Sequence, residues 1–175
     1  SVQSRTGGTV TFSGNLSATG GVANGISVLN NTNGTTTFSG ATKTLNTGAN
    51  TGVNLTNNTG HTLIFTNGGL DIDTTSGAGF SATGGGTVVV EGANNTVDTT
   101  TGVGVTISGV NIAGAGAIFR SINVNGAVNG IVLNNTGPTA GFRVTGDGTA
   151  PLVDGGNFSG GTIQNTTGDG ISLTN

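Results

Sequence analysis

The stretch Gly25-Ile26-Ser27-Val28-Leu29-Asn30-Asn31-Thr32 comes back in altered form at Gly52, Gly79, Gly104, Gly130 and Gly170, at steps of 27, 27, 25, 26 and 40 residues. A unit of that length, repeated so closely, is one supersecondary rung that buries its apolar side only against its neighbours. A solenoid meets that requirement, and the spacing inside each repeat says which kind.

The residue after each marker glycine is Ile26, Val53, Phe80, Val105, Ile131 or Ile171, and two further on stand Val28, Leu55, Ala82, Ile107, Leu133 and Leu173. Polar residues fill most of the places between, so the period is two, that of a half-buried strand. No apolar run recurs at i, i+3 and i+4. A second strand follows in TVTFS (9–13), TTTFS (35–39), TLIFT (62–66), TVVVE (87–91), AIFRS (117–121) and GFRVT (141–145). A third passes through Leu45, Ile72, Val97 and Val124. The pattern predicts an all-β, right-handed parallel β-helix with three short strands per rung of about 26 residues and about six rungs. The right-handed choice rests on the general crossover preference together with the resemblance given below. At about 4.8 Å per rung the axial length is about 29 Å.

The predicted ladders are Ile26, Val53, Val105 and Ile131 in one inward column, and Val28, Leu55, Ile107 and Leu133 in a second. Phe12, Phe38 and Phe65, at 26 and 27 residues apart, are expected to stack ring on ring, adding roughly 0.5–1.5 kcal/mol per pair beyond burial. Corners between strands call for positive φ, which Gly and Asn tolerate. Asn31, Asn58 and Asn135 are expected to meet at one corner as a ladder of amides. The Asn-x-Ser/Thr triplets, such as those at Asn30 and Asn57, read as by-products of that corner chemistry.

All 175 residues are read as a single β-helix domain, with an insertion of about 13 residues lodged in 146–160. Insertions of this kind emerge as loops on one face, where binding often lives. Both ends stop mid-rung, so the segment is expected to be cut from a longer array or to stack end to end, since an open rung is an unpaired strand edge.

Eleven charged residues (Lys+Arg 4, Asp+Glu 7) and a net charge of −3 leave too few cations to neutralise a phosphate backbone or an anionic bilayer. No nucleic-acid partner is expected. No apolar run of about 18 residues is present, so no transmembrane helix is predicted. With no cysteine, disulfides and thiolate metal sites are ruled out.

The strand GI(S/V)(V/L) with its NNT corner, the TTTF-type second strand, and the phrases GFRVTGDGT and GGTIQNTTGDGISLTN together resemble right-handed β-helix repeats of bacterial surface proteins: autotransporter passengers, filamentous-haemagglutinin-like adhesins and giant repeat proteins. The resemblance covers nearly the whole chain. It implies a secreted, extracellular or cell-surface location and a structural, adhesive role. Pectate lyases, polygalacturonases and phage tailspikes share the fold superfamily, so catalysis on carbohydrate is the competing reading.

Asp73 and Asp98 stand 25 residues apart at matching third-strand positions, with Asp71 on the same face. Carboxylates at rung spacing could hold Ca²⁺ weakly or form a glycosidase pair. Like charges one rung apart repel, however, and no cation stands beside them in sequence, so a solvated outer face is the simpler reading. No metal and no cofactor is assigned. Asp147 and Asp154, in the insertion, are the remaining candidate binding residues. Glu91, Arg120 and Arg143 follow second-strand apolar residues and are expected to line up as a ladder. His61 has no companion in sequence for metal binding or base catalysis. Threonine pairs such as Thr9/Thr11 and Thr35/Thr37 form outward ranks that lapse at Ile64 and Val89.

The resulting expectation is a non-enzymatic structural rod or adhesive segment. Its expected partners are itself, the flanking repeats of a longer chain, or surface glycans. A carbohydrate-binding or carbohydrate-active β-helix is the alternative.

Overall fold

The computed structural model describes residues 1–148 and 157–175. Among the described residues the chain runs through strands without a helix. The first rung is β1 (Val2–Gln3), β2 (Thr6–Phe12) and β3 (Leu16–Thr19), and the second is β4 (Ile26–Leu29), β5 (Asn33–Phe38) and β6 (Lys43–Gly48). The third holds β7 (Val53–Thr56), β8 (His61–Phe65) and β9 (Leu70–Thr74); the fourth, β10 (Phe80–Thr83), β11 (Thr87–Val90) and β12 (Thr96–Thr99). The fifth is β13 (Val105–Ser108), β14 (Asn111–Phe119) and β15 (Ser121–Asn125). The sixth is β16 (Ile131–Asn134), β17 (Phe142–Val144) and β18 (Ile163–Gln164), and β19 (Ile171–Thr174) opens a seventh.

Each strand pairs in parallel with its counterparts in the rungs on either side. The result is three sheets: seven strands from β1 to β19, six from β2 to β17, and six from β3 to β18. This is the parallel β-solenoid of about six turns that the repeat predicts. The register is the one implied by the alternation. Ile26 pairs with Val53, Val53 with Phe80, Phe80 with Val105 and Val105 with Ile131. Val28, Leu55, Ala82, Ile107 and Leu133 form the second column, and only Leu133 there is not fully buried.

The core carries one aromatic ring in each rung. Phe12, Phe38 and Phe65 stack face to face, with centroids 4.9 and 5.0 Å apart and planes within 14°. In the fourth rung the place of the ring on the second sheet is taken by Val90, which pairs with Phe65. There Phe80 supplies the ring from the first sheet instead, edge-on to Phe65 at 5.9 Å and to Phe119 at 5.7 Å. Phe119 then meets Phe142 at 5.7 Å. Packing at crystal-like density leaves no room for two rings in one rung and leaves a void with none.

The marker glycines correct one expectation. Gly25, Gly52, Gly79, Gly104 and Gly130 are absent from the left-handed region that corners were expected to require. They are glycine because rungs touch there. A Cβ on Gly52 would come within 2.3 Å of Ile72 Cγ2 and 2.8 Å of the Gly79 carbonyl, and one on Gly79 within 2.5 Å of the Gly104 carbonyl. Positive φ falls at other positions, among them a column directly after the first-sheet strands: Ser4, Asn30, Asn57, Gly84, Gly109 and Asn135, at 48° to 74°.

That column also corrects the amide ladder. Asn135 is exposed and occupies the left-handed position of Asn30 and Asn57, one residue before the place of Asn31 and Asn58. Only Asn31 and Asn58 lie buried against each other, with Asn31 Nδ2 donating to Asn58 Oδ1 at 2.8 Å. Below them the Arg5 N–H donates to Asn31 Oδ1 at 2.9 Å, and Asn58 Nδ2 donates to the Val28 carbonyl at 2.7 Å.

Candidate functional site

Among the described residues the interior holds two titratable side chains, His61 and Lys43, and both are built into the fold. His61 opens β8 and is fully buried. Its Nδ1 lies 2.8 Å from the Asn33 carbonyl, which can only accept, so that nitrogen carries the proton. In the neutral ring Nε2 then accepts from Thr36 Oγ1 at 2.9 Å. Both nitrogens are used, and the ring has no exposed edge for a metal or a substrate.

Lys43 begins β6 and is also fully buried. Its Nζ donates to the carbonyls of Gly40 (2.6 Å), Gly68 (2.7 Å) and Thr66 (3.0 Å), at the corner between the second and third sheets. Burial holds its pKa below the usual 10.5. Sequence reasoning passed over this residue because lysine on a strand reads as outward. The only available signal was that Lys43 lies two residues before the inward Leu45, on the same face.

The acids lie on the outer face of the third sheet. Asp73 pairs with Asp98 across one rung, and Asp71 pairs with Thr96. Thr96 Oγ1 donates to Asp71 at 2.7 Å and Asn123 Nδ2 to Asp98 at 2.7 Å. Partial burial raises the Asp73 pKa above 3.8, and the charges of Asp71 and then Asp98 add to the effect. Their registered neighbours are Thr44, Asn46, Thr96 and Asn123. Among the described residues no group of three or more His, Asp or Glu is arranged to hold a metal ion.

Glu91, Arg120 and Arg143 do not form the expected ladder. The register slips between Val88↔Ile112 and Val90↔Ala117, so Ala113–Gly116 bulge out of β14. Glu91 Oε1 accepts from the Ala115 N–H at 2.8 Å, and Arg143 donates to the Ala115 carbonyl at 3.0 Å from the rung on the other side. The two side chains therefore clamp Ala115 from both sides, one holding its N–H and the other its carbonyl. Arg120 stands apart, at the corner leading into the third sheet.

At that corner the insertion leaves the rung. Gly146 N–H donates to the Arg120 carbonyl at 2.9 Å, and the Gly160 carbonyl accepts from the Ile122 N–H at 3.0 Å, so both sides of the insertion rest on the rung beneath. Asn94, Arg120, Thr145 and Asp147, with the small residues Ala93, Gly146 and Gly148, line a shallow concavity there that is wide open to solvent. Arg120 reaches Asn94 Oδ1 at 3.5 Å. The Asp147 carboxylate accepts from Asn157 Nδ2 at 3.2 Å and lies 3.2 Å from Ser159 Oγ, which accepts from the Asp147 N–H at 3.0 Å. Asp154 lies outside the described residues.

Of the candidate acids, Asp71, Asp73 and Asp98 thus share one face, while Asp147 lies apart from them, beside the same shallow concavity as Arg120, a proximity the sequence did not reveal. No protein-family model matches this chain, and no match was found among the curated proteins or the solved structures. Among the described residues no helix is long and apolar enough to cross a membrane.

Proposed function

We propose that the chain is a passive structural rod: an adhesive segment of a secreted bacterial cell-surface protein or extracellular fibre, carrying out no reaction of its own. The observation that carries this reading is the unbroken stack. Every rung is hydrogen-bonded in parallel to its neighbours through three sheets, with one aromatic ring per rung along the axis. A pull along the axis is shared among all three ladders, and each rung adds reach without needing a new fold.

End-to-end association is part of the proposal. Ile171 and Leu173 of β19 are 56% and 68% exposed at one end. At the other, Val2, Phe12, Leu16 and Ile26 line an open cavity of about 120 Å³. Edge strands with apolar side chains favour addition of another strand. The strand counts add a condition. A second copy that continues the six-stranded sheets sets its β2 and β3 against β17 and β18, which puts its β1 in the slot that β19 already fills. One of the two strands must give way.

Electron microscopy and sedimentation across a concentration series test this. Fibres that lengthen with concentration, and form at lower concentration once residues 170–175 are removed, are the expected result. Monodisperse particles at every concentration, with and without those residues, would sink the stacking proposal.

A further inference from the structure

Asn24, Asn33, Asn67, Asn125 and Asn129 each stand directly before a glycine. At such a pair the glycine nitrogen can attack the asparagine side-chain amide, because no Cβ obstructs it and the backbone reaches the conformation required. The five pairs share this chemistry and differ in what the coil does with them.

Four are tied down from both sides. The glycine N–H that would attack donates to a carbonyl of the neighbouring rung: Gly25 to Thr51 at 3.1 Å, Gly68 to Glu91 at 3.1 Å, Gly126 to Gln164 at 3.0 Å and Gly130 to Gly170 at 3.0 Å. The amide that would be attacked is held as well. Asn24 accepts from the Thr51 N–H, Asn67 donates to the Ser39 carbonyl, Asn125 accepts from Asn165 Nδ2, and Asn129 accepts from the Asp169 N–H. Attack at any of these needs the contact between rungs to open first.

Asn33 is the exception. The Gly34 N–H donates to Oδ1 of Asn33 itself at 2.8 Å, which sets the attacking nitrogen against the amide it would attack. Among the described residues this side chain has no partner in another rung, and Asn33 is exposed to water.

We propose that Asn33-Gly34 is the site at which this chain modifies itself, by deamidation. The Gly34 nitrogen bonds to Asn33 Cγ and closes a five-membered imide. The Cγ–Nδ2 bond breaks, and Nδ2 leaves as ammonia with the proton from the Gly34 nitrogen. Water then opens the imide at one carbonyl or the other, giving aspartate or isoaspartate, so water is the only other reactant. Either product adds a negative charge. Isoaspartate also lengthens the main chain by one carbon and turns the Asn33 carbonyl, which accepts from buried His61 Nδ1 at 2.8 Å, into a free carboxylate. The modification therefore strikes a corner on which the interior depends, and it does so whether the rod stacks or stays single.

The full chain, incubated in mildly alkaline buffer and sampled over weeks, tests this by tandem mass spectrometry of its fragments, with a parallel incubation in urea. In the folded chain Asn33 is expected to convert about tenfold or more faster than each of the other four, the scale set by two hydrogen bonds that must open there first. In urea the five rates should converge. Asn33→Gln should abolish the fast release of ammonia, because its longer side chain cannot close a five-membered ring. Conversion of Asn33 no faster than the other four in the folded chain would overturn the proposal. So would the same lead for Asn33 in urea, which would assign it to local sequence, or a fast release of ammonia that survives Asn33→Gln.

Discussion

Lys43 and Asn95 serve the same purpose two rungs apart at one corner. Lys43 Nζ donates to three carbonyls, and Asn95 Nδ2 donates to the Ile118, Gly92 and Glu91 carbonyls at 3.0, 3.2 and 3.3 Å. Between them Leu70, which pairs with Lys43, donates its N–H to Asn95 Oδ1 at 3.1 Å. At this corner the chain turns with its carbonyls facing inward, and buried carbonyls need donors. An amide supplies them without charge, whereas a lysine supplies them with a charge that burial disfavours.

The penalty at Lys43 sets a pH dependence. Burial lowers its pKa in the folded chain below the 10.5 of the unfolded one, so the unfolded state holds the proton more tightly. At low and neutral pH the penalty is present in full. Stability is expected to rise as pH climbs from the lowered value towards 10.5. Urea midpoints measured between about pH 8 and 11 should show this rise in the wild type and its loss in Lys43→Met. An unchanged profile in the variant would show that the ammonium is not desolvated.

Asp73 behaves in the opposite sense. Its folded pKa is raised above 3.8, so the stability associated with its protonated form is present at low pH and is lost as pH rises from 3.8 through the folded value. Asp73→Asn is expected to stabilise the chain at pH 7 by up to about 0.5 kcal/mol, given the exposure of the face and the small size of cross-strand charge terms. The gap between variant and wild type should close near pH 3, and 0.5 M salt should narrow it at pH 7. A variant less stable than wild type at pH 7 would contradict the repulsion.

Phe80 and Val90 share one rung's allowance of aromatic volume. Val90→Phe alone is expected to destabilise by about 1–3 kcal/mol through overpacking, and Phe80→Val by a similar amount through the void it leaves. Combined, the two should recover at least about 1 kcal/mol of the sum, because the ring returns to the column of Phe12, Phe38 and Phe65. A double-mutant cycle by denaturant unfolding measures the coupling, and strict additivity would refute the exchange.

Two kinds of glycine should respond differently to substitution. Gly109, at φ 63° with open space around its missing Cβ, occupies the column of Asn30 and Asn57, so Gly109→Asn is expected to change stability by less than about 0.5 kcal/mol. Gly79→Asn meets the Gly104 carbonyl at 2.5 Å and Val97 Cγ1 at 2.4 Å, and a loss of about 2 kcal/mol or more is expected. Thermal melts of the two variants side by side give the comparison.

Rung length, strand number and the two aliphatic columns were legible from period and alternation alone, because every rung must bury the same faces on its neighbours. Leu55 falls under Ala82 for the reason that puts Val28 under Leu55: a parallel register one repeat apart. The alternation could not show which way Lys43 points, since one cation in an inward place looks like any surface lysine until the corner carbonyls are seen around it. Nor could it separate glycines kept for φ from glycines kept for clearance, because the atoms that crowd Gly52 belong to Ile72 and Gly79, 20 and 27 residues on. The exchange of Phe80 for a ring at Val90 was hidden for the same reason: only the closed coil brings the two sheets to one point. Local periodicity in the sequence determined the architecture. The stacking of Asn31 on Asn58, the clamp of Glu91 and Arg143 on Ala115, and the reach of Arg120 to Asn94 were decided by tertiary structure, because each depends on distances that exist only between rungs.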